Sequence, residues 1–279
     1  MDFDENLASI HAYLCADGYV IRNPEIQKHK YYHIGLRNTN KKLLKDFQRK
    51  FEKTFGVKPI IMSDGRCKMG SKEIFFLLTK DFSYYSDKWS LPKLNKKQLS
   101  CWLRSYFDCD AWVMVQPGKS RAIGLESINE NGLKQIKYVL WEKFRIHASD
   151  VKKRKNRNCW YIDICGKDDL LKFKEKIGFL HPKKGEKLKE ALDSYETYEW
   201  NIPDKKEEFI EFVNKQGRLR NDTKEVRFFS IIKDNLIKLN EKLAIYSIKA
   251  KVYGPWKNNR ERIYYCLSFN QKELLKLKR

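Results

Sequence analysis

Two aspartates, Asp17 and Asp110, follow closely similar amphipathic segments. These segments read LASIHAYLCADGYV (7–20) and SCWLRSYFDCDAWV (100–113). If each is a helix, its acid lies at the C-terminal end, where the helix dipole makes a further negative charge unfavourable by ~0.3–1 kcal/mol. Two such carboxylates side by side need a compensating cation, and Mg²⁺ commonly binds one or two carboxylates together with substrate phosphates. The pair therefore predicts a divalent-metal site for phosphodiester chemistry.

The spacing within both segments indicates how the two acids are brought together. Apolar residues of the first segment recur at i, i+3 and i+7, which is typical of one helix face. Small residues recur at intervals of four in both segments: Ala8, Ala12 and Ala16, then Cys101, Ser105 and Cys109. Such stripes allow two helix backbones to approach closely. The alternative is that each acid is ordinary helix-end and turn chemistry, but two copies with matching stripes favour the metal site.

The two segments open successive copies of a longer repeat, and a third copy opens at 207–219. Each copy continues with a predicted strand, at 31–36, 120–126 and 226–232. A lysine-rich amphipathic helix follows, at 40–55, 131–144 and 234–245. Each copy closes with two more predicted strands, at 58–78, 147–165 and 248–269. Proline-containing connectors, WSLP and WNIP, break the periodicity and predict domains at 1–97, 98–195 and 196–279.

The segments LASIHAYLCADGYV and WLRSYFDCDAWV resemble the two signature helices of LAGLIDADG homing endonucleases, and IGFLHPKKGEKLKEAL (177–192) resembles the helical close of that family's second repeat. The resemblance covers residues 1–195 well and 196–279 loosely. It implies an α+β fold of two pseudo-symmetric αββαββ repeats with antiparallel sheets, of the two-motif, single-chain type, plus a divergent third module. It also implies that the sheets bind a long site in double-stranded DNA, cut with Mg²⁺ or another divalent cation.

The resemblance also implies roles for particular residues. Asp17 and Asp110 match the signature acids, and the backbone carbonyls of Ala16 and Cys109 match the family's additional metal ligands. The second helix departs from the family pattern at Ala111, where a glycine is usual, although no acid is lost.

Further catalytic candidates lie near the strands. Arg37 and Glu126 follow the first strand of their units, where the family often has a polar supporting residue. Lys72 and Arg157, on the second hairpins, are candidates for stabilising transition-state charge. For each, phosphate contact or a solvated surface charge is an equal alternative.

A DNA-binding face is predicted from strand alternation in YYHIGLR, where Tyr31, His33 and Arg37 fall on the face opposite Ile34 and Leu36. The sequence KKRKNRN (152–158) predicts a basic hairpin tip that follows the DNA backbone. The full DNA-binding set is Lys28, Lys30, Tyr31, His33, Arg37, Lys119, Arg121, Lys153, Arg154, Lys155 and Arg227.

The third copy has lost its acid, because Gln216 stands in its place. Its small-residue positions are the charged Glu207, Glu211 and Lys215, which would be costly to bury in a tight helix seam. Residues 205–279 nevertheless carry 19 Lys and Arg against 9 Asp and Glu. We expect an accessory nucleic-acid-binding surface; the alternative is a stabilising cap.

Overall composition agrees with a polyanionic partner, since the chain has a formal net charge of +22, which favours nucleic acid. No Gly-rich phosphate loop, nucleophilic triad or zinc-spaced Cys/His run occurs. The longest apolar runs are far short of the ~20 residues that span a bilayer, and the acidic start lacks the basic segment of a signal peptide. We therefore expect an intracellular protein, in the cytoplasm, nucleoid or an organelle, with no membrane partner.

These observations predict a monomeric, metal-dependent, site-specific DNA endonuclease of homing type. The alternative is a nucleic-acid-binding protein without cleavage, either a maturase that binds structured intron RNA or a domesticated DNA-binding regulator. Retention of both acids favours the endonuclease, because a protein that only binds has no need for them.

Overall fold

The computed structural model of the chain describes residues 2–24, 26–29, 31–116, 120–195, 199–220, 222–257 and 263–278. The chain forms two compact units, Met1–Tyr195 and Glu196–Arg279, and each is described by itself. Among the described residues, no helix is both long enough and apolar enough to cross a membrane.

The first unit repeats one order of elements. Its first half contains α1 (Glu5–Cys15), β1 (Gly18–Arg22), β2 (Tyr32–Arg37), α2 (Lys41–Phe55), β3 (Ile60–Ile61), β4 (Arg66–Gly70) and α3 (Lys72–Thr79). Its second half contains α4 (Lys96–Asp110), β5 (Ala111–Val115), β6 (Arg121–Ser127), α5 (Glu130–Phe144), β7 (Lys152–Lys153), β8 (Trp160–Cys165), α6 (Lys167–Lys176) and α7 (Pro182–Asp193).

Helices α1 and α4 pack closely against each other. Small side chains make this possible, because Ala8 and Ala12 are fully buried and Ser105 is almost so. The hydroxyl of Ser9 donates to the α4 carbonyl of Cys101 over 3.4 Å. Side-chain caps begin both helices, at Asp4 for α1 and at Asn95 for α4, which satisfies N–H groups that the helices leave unpaired.

Each half contains an antiparallel sheet with the same strand order, β1-β2-β4-β3 in the first half and β5-β6-β8-β7 in the second. One face of each sheet packs on the helices through side chains that are fully buried, such as Ile34, Leu36, Ile123 and Leu125. The opposite face is called the open face below. The repeated helix–strand–strand order and the antiparallel sheets confirm the predicted α+β fold class.

One predicted strand is wrong. Residues 72–79, at the end of the segment 58–78, form α3. Ser71 caps this helix, and Phe75 and Leu78 point into the core while Phe76 and Leu77 are exposed. By periodicity alone, a short apolar run such as IFFLL fits a buried strand or a helix equally well. Here the Ser71 cap and the burial of Phe75 and Leu78, three residues apart, favour the helix.

The second unit contains α8 (Lys206–Gln216), β9 (Arg218–Arg220), β10 (Glu225–Ser230), α9 (Lys233–Ile245), β11 (Lys251–Lys257), β12 (Ile263–Asn270), a 3₁₀ turn (Gln271–Leu274) and α10 (Leu275–Lys278). Its antiparallel sheet has the order β9-β10-β12-β11, which corresponds to that of the other two sheets. Phe209, Phe228, Leu236 and Leu267 lie in a core of its own. The charged residues Glu207, Glu211 and Lys215 of α8 are exposed.

Candidate metal centre and nucleic-acid interface

The two signature acids lie at the ends of the packed helices α1 and α4. Asp17 follows Ala16, the C-terminal cap of α1, and Asp110 is the last residue of α4. Both are partly buried. Burial raises the pKa of Asp110 to about 7; the negative charge of Asp17 also raises it, and a hydrogen bond with Tyr106 opposes the shift. The structure therefore brings the two carboxylates close enough for one to disfavour ionisation of the other.

Asp17 is held by the turn that follows β2. The side-chain amide of Asn38 donates to its carboxylate over 2.7 Å, and the backbone N–H of Arg37 donates to its carbonyl oxygen over 3.1 Å. The Asp17 carboxylate also forms a hydrogen bond with the Cys109 thiol of α4. The pKa of this thiol is raised mainly by burial, and further by the charges of Asp17 and Asp110 and by this hydrogen bond. Asp17 is thus fixed from both halves of the unit.

The last turn of α4 is held by a lysine of α7. The Lys184 ammonium donates to the carbonyl oxygens of Phe107 at 3.1 Å, Asp108 at 2.6 Å and Cys109 at 3.0 Å. A cation at these carbonyls also compensates the negative end of the helix dipole. Burial lowers the pKa of Lys184, while the neighbouring acidic groups, Asp110 and Asp17 among them, oppose the shift.

A second contact joins α4 and α7, and here α4 supplies the side chain and the start of α7 supplies the backbone groups. The carboxylate of Asp108 accepts hydrogen bonds from the backbone N–H groups of Leu180, at 3.0 Å, and His181, at 2.9 Å. Burial raises the pKa of Asp108 to about 6, although these hydrogen bonds and the charge of Lys184 oppose the shift. The end of α4 and the start of α7 therefore satisfy each other's unpaired backbone groups.

A cavity of about 410 Å³ opens beside Asp110. Its lining includes Ala16, Tyr106, Glu126 and Cys159, so Glu126 shares this cavity with Asp110. The Glu126 carboxylate accepts from the Cys159 thiol over 2.9 Å and binds the Arg154 guanidinium over 2.9 Å. The hydrogen bond from Cys159 lowers the pKa of Glu126 most, and the hydrogen bond from Arg154 and the charge of Arg154 lower it further.

The other three catalytic candidates lie in different surroundings. Arg37 ends β2 beside Asp17, with an exposed side chain. Arg157 is exposed, and its guanidinium lies 3.8 Å from the Glu126 carboxylate. Lys72 is the first residue of α3 and is not on a hairpin, as the sequence had suggested. Arg37 is therefore connected to Asp17 through its backbone and Arg157 to Glu126, and the placement of Lys72 corrects the hairpin interpretation.

The open face of the first sheet carries predicted DNA-binding residues. Strand register places Tyr19, His33, Arg37, Arg66 and Lys68 on this face. The Tyr31 ring stacks on His33 at a centroid distance of 6.0 Å. Lys28, in the bend between β1 and β2, is exposed, and Lys30 lies outside the described residues.

The second sheet combines arginine and aromatic side chains. The Arg154 guanidinium lies 4.0 Å from the ring centroid of Tyr161 and 5.3 Å from that of Trp112. Lys153 lies over the Trp160 ring, and Lys155 is exposed in the adjoining turn. These contacts hold the basic hairpin tip against its sheet.

Arg121 departs from the DNA-binding prediction. It pairs with Val115 in phase with the buried strand residues Ile123 and Leu125, which places it on the helix face. Its guanidinium donates to the Ser194 hydroxyl at 2.8 Å and to the Ser194 carbonyl at 2.6 Å, and it lies over the Tyr195 ring. Arg121 therefore fastens the end of α7 to the sheet. Lys119 lies outside the described residues.

In the second unit, Arg227 lies on the open face of its own sheet. Its guanidinium binds Glu225 over 2.6 Å. This sheet is considered separately below.

Two residues of the site were not identified from the sequence. Lys184 lies in the segment that resembles a helical close, but its carbonyl partners are more than seventy residues earlier. Asn38 is 21 residues from Asp17. Contacts at such separations leave no local pattern, so only the fold reveals them.

The oxygen atoms of the site suit a hard divalent cation. The carboxylates of Asp17 and Asp110 and the carbonyl of Ala16 are ligands of the type that Mg²⁺ prefers. The Cys109 carbonyl already accepts a hydrogen bond from Lys184. In the part of the chain that the structure describes, no three His, Cys, Asp or Glu side chains form a metal-binding group, while Mg²⁺ commonly uses only one or two carboxylates.

The chain is similar in sequence to two curated proteins over part of its length. It is 29% identical over 203 residues to the replication factor C small subunit of Methanocaldococcus jannaschii, covering 68% of this chain and 10% of that protein. It is 28% identical over 102 residues to the same subunit of Thermococcus kodakarensis, covering 37% of this chain and 11% of that protein. The chain thus spans about a tenth of the length of these curated relatives.

Among solved structures, I-DmoI in complex with DNA and Ca aligns with a TM-score of 0.49 and 14% identity, covering 66% of this chain and 99% of that chain. A family model described as a LAGLIDADG-like domain matches residues 4–79 and 97–178, which is more than half of the chain. The matched residues contain both helices that deliver Asp17 and Asp110, and the chain belongs to the LAGLIDADG-like family.

Proposed function

We propose that the chain is a metal-dependent, site-specific endonuclease of homing type that cuts double-stranded DNA. The observation that carries this proposal is the convergence of Asp17 and Asp110 at the ends of α1 and α4, where the charge of Asp17 raises the pKa of Asp110. A partly buried carboxylate whose ionisation is opposed by burial and by a neighbouring charge destabilises the folded chain at neutral pH. A protein that only binds nucleic acid gains nothing from this arrangement.

Asp17, Asp110 and the Ala16 carbonyl are the residues that would hold a divalent cation, Mg²⁺ in the first instance. When bound, such an ion supplies charge compensation for the scissile phosphate and activation of water. Cys109 is a weaker candidate ligand than the sequence had suggested, because its carbonyl oxygen is engaged by Lys184.

The surrounding residues position this pair. Asn38 orients the Asp17 carboxylate from the first half, and Lys184 fixes the last turn of α4 and adds positive charge beside Asp110. Glu126, which lines the adjoining cavity, forms an ion pair with Arg154. The Arg154 guanidinium is available to contact a DNA phosphate, with Glu126 holding its orientation.

The open faces of the two sheets of the first unit would contact the duplex. Their basic side chains include Arg37, Arg66, Lys68 and Lys152. Phosphate contacts of this kind supply affinity and register, and side chains facing the base edges supply sequence preference. We expect the protein to act as a monomer, because one chain contains both acids and both sheets.

We also propose the mobility of an intein or intron as the biological setting. The matched segment occupies about a tenth of each curated relative, which agrees with a module carried within a longer chain.

Selection of cleavage sites tests the proposal. A randomised duplex library is incubated with the full chain and Mg²⁺, and cut ends are sequenced. Recovery of a single long site that is cut on both strands is the expected result. Binding to nucleic acid without any cut product would favour the non-cleaving alternatives, and preferential binding of structured intron RNA would favour the maturase.

A further inference from the structure

The open face of the sheet in the second unit is arranged in rows. Strand register places Arg218, Arg227, Ser268 and Lys251 side by side across all four strands. This set is called the basic row. The next positions along the strands carry Phe229 and Tyr253 on either side of Cys266, and then Tyr264 beside Trp256. These four aromatic side chains are called the ring rows.

The ring rows form a continuous aromatic surface. Trp256 stacks with Tyr253 at a centroid distance of 6.3 Å and an interplanar angle of 11°, and it lies 5.7 Å from Tyr264. Tyr264 in turn lies 6.3 Å from Phe229. Phe229, Tyr253 and Trp256 are 42%, 42% and 43% exposed. Together with Arg227 and Lys257, they line a groove of about 640 Å³.

Equivalent positions in the first unit have a different arrangement. Tyr19 lies across Gly35, and Trp112 across Gly124, each directly opposite on the neighbouring strand. At the corresponding register of the second unit, Arg218 lies opposite Arg227. Like charges directly opposite each other destabilise a sheet. This pair therefore costs stability in the free protein, and an anion between the two guanidinium groups would relieve it.

Neighbouring groups neutralise this charge only in part. Arg227 binds Glu225 over 2.6 Å, while the Arg218 guanidinium lies 5.8 Å from the Phe229 ring centroid. Lys251 and Lys257 add positive charge at the other edge of the sheet. A polyanion is the ligand that this face complements.

The exposed aromatic side chains of the ring rows indicate which kind of polyanion this face binds. In a duplex the base faces are covered by stacking, and only the base edges are accessible in the grooves. Exposed aromatic rings beside a basic track are typical of proteins that stack unpaired bases. The rings are also largely apolar, so a ribose 2′-hydroxyl pressed against Phe229 or Trp256 would lack a hydrogen-bond partner.

We propose that this sheet face binds single-stranded DNA, with phosphates along the basic row and bases stacked on the ring rows. The site lies in a unit with its own core, and both acids lie in the other unit. The proposal therefore goes beyond cleavage and holds whether or not the protein cuts DNA.

Fluorescence anisotropy with the full chain in EDTA tests this proposal. The probe is a labelled oligothymidylate of ~12 nucleotides, within the range of known single-strand site sizes. Trp256→Ala should weaken binding about 5- to 150-fold, the range expected for the loss of one stacked base. Trp256→Phe retains a ring and should bind within a few fold of the unaltered protein, which distinguishes lost stacking from misfolding.

A matched control removes an equally exposed tryptophan from the first unit. Trp141 on α5 is 41% exposed, and Trp141→Ala should leave oligothymidylate binding unchanged. Arg218→Gln should reduce the slope of log affinity against log salt by about 0.7, the value per phosphate contact on a single strand.

Three outcomes would overturn the proposal. Equal binding by Trp256→Ala and the unaltered protein would exclude the ring rows as the site. If a hairpin duplex of the same length binds more tightly than the oligothymidylate, and Trp256→Ala also loses this duplex binding, the face binds duplex DNA. Equal or tighter binding of oligouridylate would assign the face to RNA.

Discussion

The Lys184 ammonium donates a hydrogen bond of 3.0 Å to the carbonyl oxygen of Cys109, one residue before Asp110. Two further carbonyls of the last turn of α4 share the same ammonium. The second signature helix therefore ends on a fixed cation. The residues matched by the family model end at 178, so this cation comes from a segment outside that match.

Lys184→Met should destabilise the first unit by about 1–3 kcal/mol, because buried carbonyl oxygens lose their charged donor. The same change should strengthen binding of a divalent cation, since a positive charge beside the acids is removed. Urea unfolding and calorimetric titration with Mn²⁺ measure the two effects. Lys187→Met, an exposed position of the same helix, should change neither; a similar loss of stability in both variants would contradict the assigned role.

The contribution of Asp110 to the stability of the metal-free protein should be lost as the pH rises from about 4 to about 7, whereas His11, whose burial lowers its pKa to about 3, contributes in the opposite direction. The folded-state pKa of Asp110 is raised to about 7, above the value of about 3.9 for an unfolded Asp. Between these values the folded state binds more protons than the unfolded state, so stability is lost with rising pH. Asp108, with a pKa raised to about 6, contributes in the same direction.

Asp110→Asn should remove this contribution and leave those of Asp108 and His11 in place. Near pH 7.5 the variant should be more stable than the unaltered protein by about 1–3 kcal/mol. Urea unfolding in EDTA across this pH range measures both quantities. Identical slopes in the two proteins would show that Asp110 is not the titrating group.

Asp17→Asn and Asp110→Asn should each abolish double-strand cleavage while leaving duplex binding largely intact. Neither carboxylate attracts a phosphate by itself, whereas both are needed if a cation is to be held there. Cleavage of the selected site and electrophoretic mobility shifts measure the two properties. Asp150→Asn, at an exposed aspartate paired with Lys137, is the matched control, and full cutting by the double Asn variant would refute the role of the pair.

Larger side chains in the contact between α1 and α4 should destabilise the first unit. Ala12→Leu and Ser105→Leu introduce volume at positions that are 0% and 1% exposed, and overpacking of this kind costs ~1–3 kcal/mol. Glu211→Leu, the corresponding position of α8, should have little effect because Glu211 is exposed. Thermal unfolding compares the three variants, and equal shifts would mean that the alignment of the third copy is wrong.

Local periodicity was sufficient to predict much of this architecture. The signature helices and the strand alternation around Ile34 follow from spacings of two to four residues, and the three successive copies follow from the recurrence of similar segments along the chain. The alternation also contained information that was not used, since Arg121 is in phase with Ile123 and Leu125 and belongs on the helix face.

Other features could not be predicted because they depend on tertiary contacts. The apolar run at 74–78 fits two periodicities, and the choice between them is made by Ser71 and the core beneath. The contact of Lys184 joins elements more than seventy residues apart. The aromatic surface around Trp256 depends on the register of β11 against β12, which includes an irregularity between Tyr253 and Trp256.

The glycines beneath Tyr19 and Trp112, Gly35 and Gly124, restrict which residues can be changed to alter the DNA sequence preference. A Cβ at Gly35 or Gly124 would overlap the ring that lies across it, so each ring would have to rise off the open face of its sheet, the face proposed to contact the duplex. These two positions cannot be varied independently of their aromatic partners. A mutagenesis library that seeks a new recognition sequence should therefore keep both glycine–aromatic pairs and vary neighbours such as Ile21, His33 and Lys68.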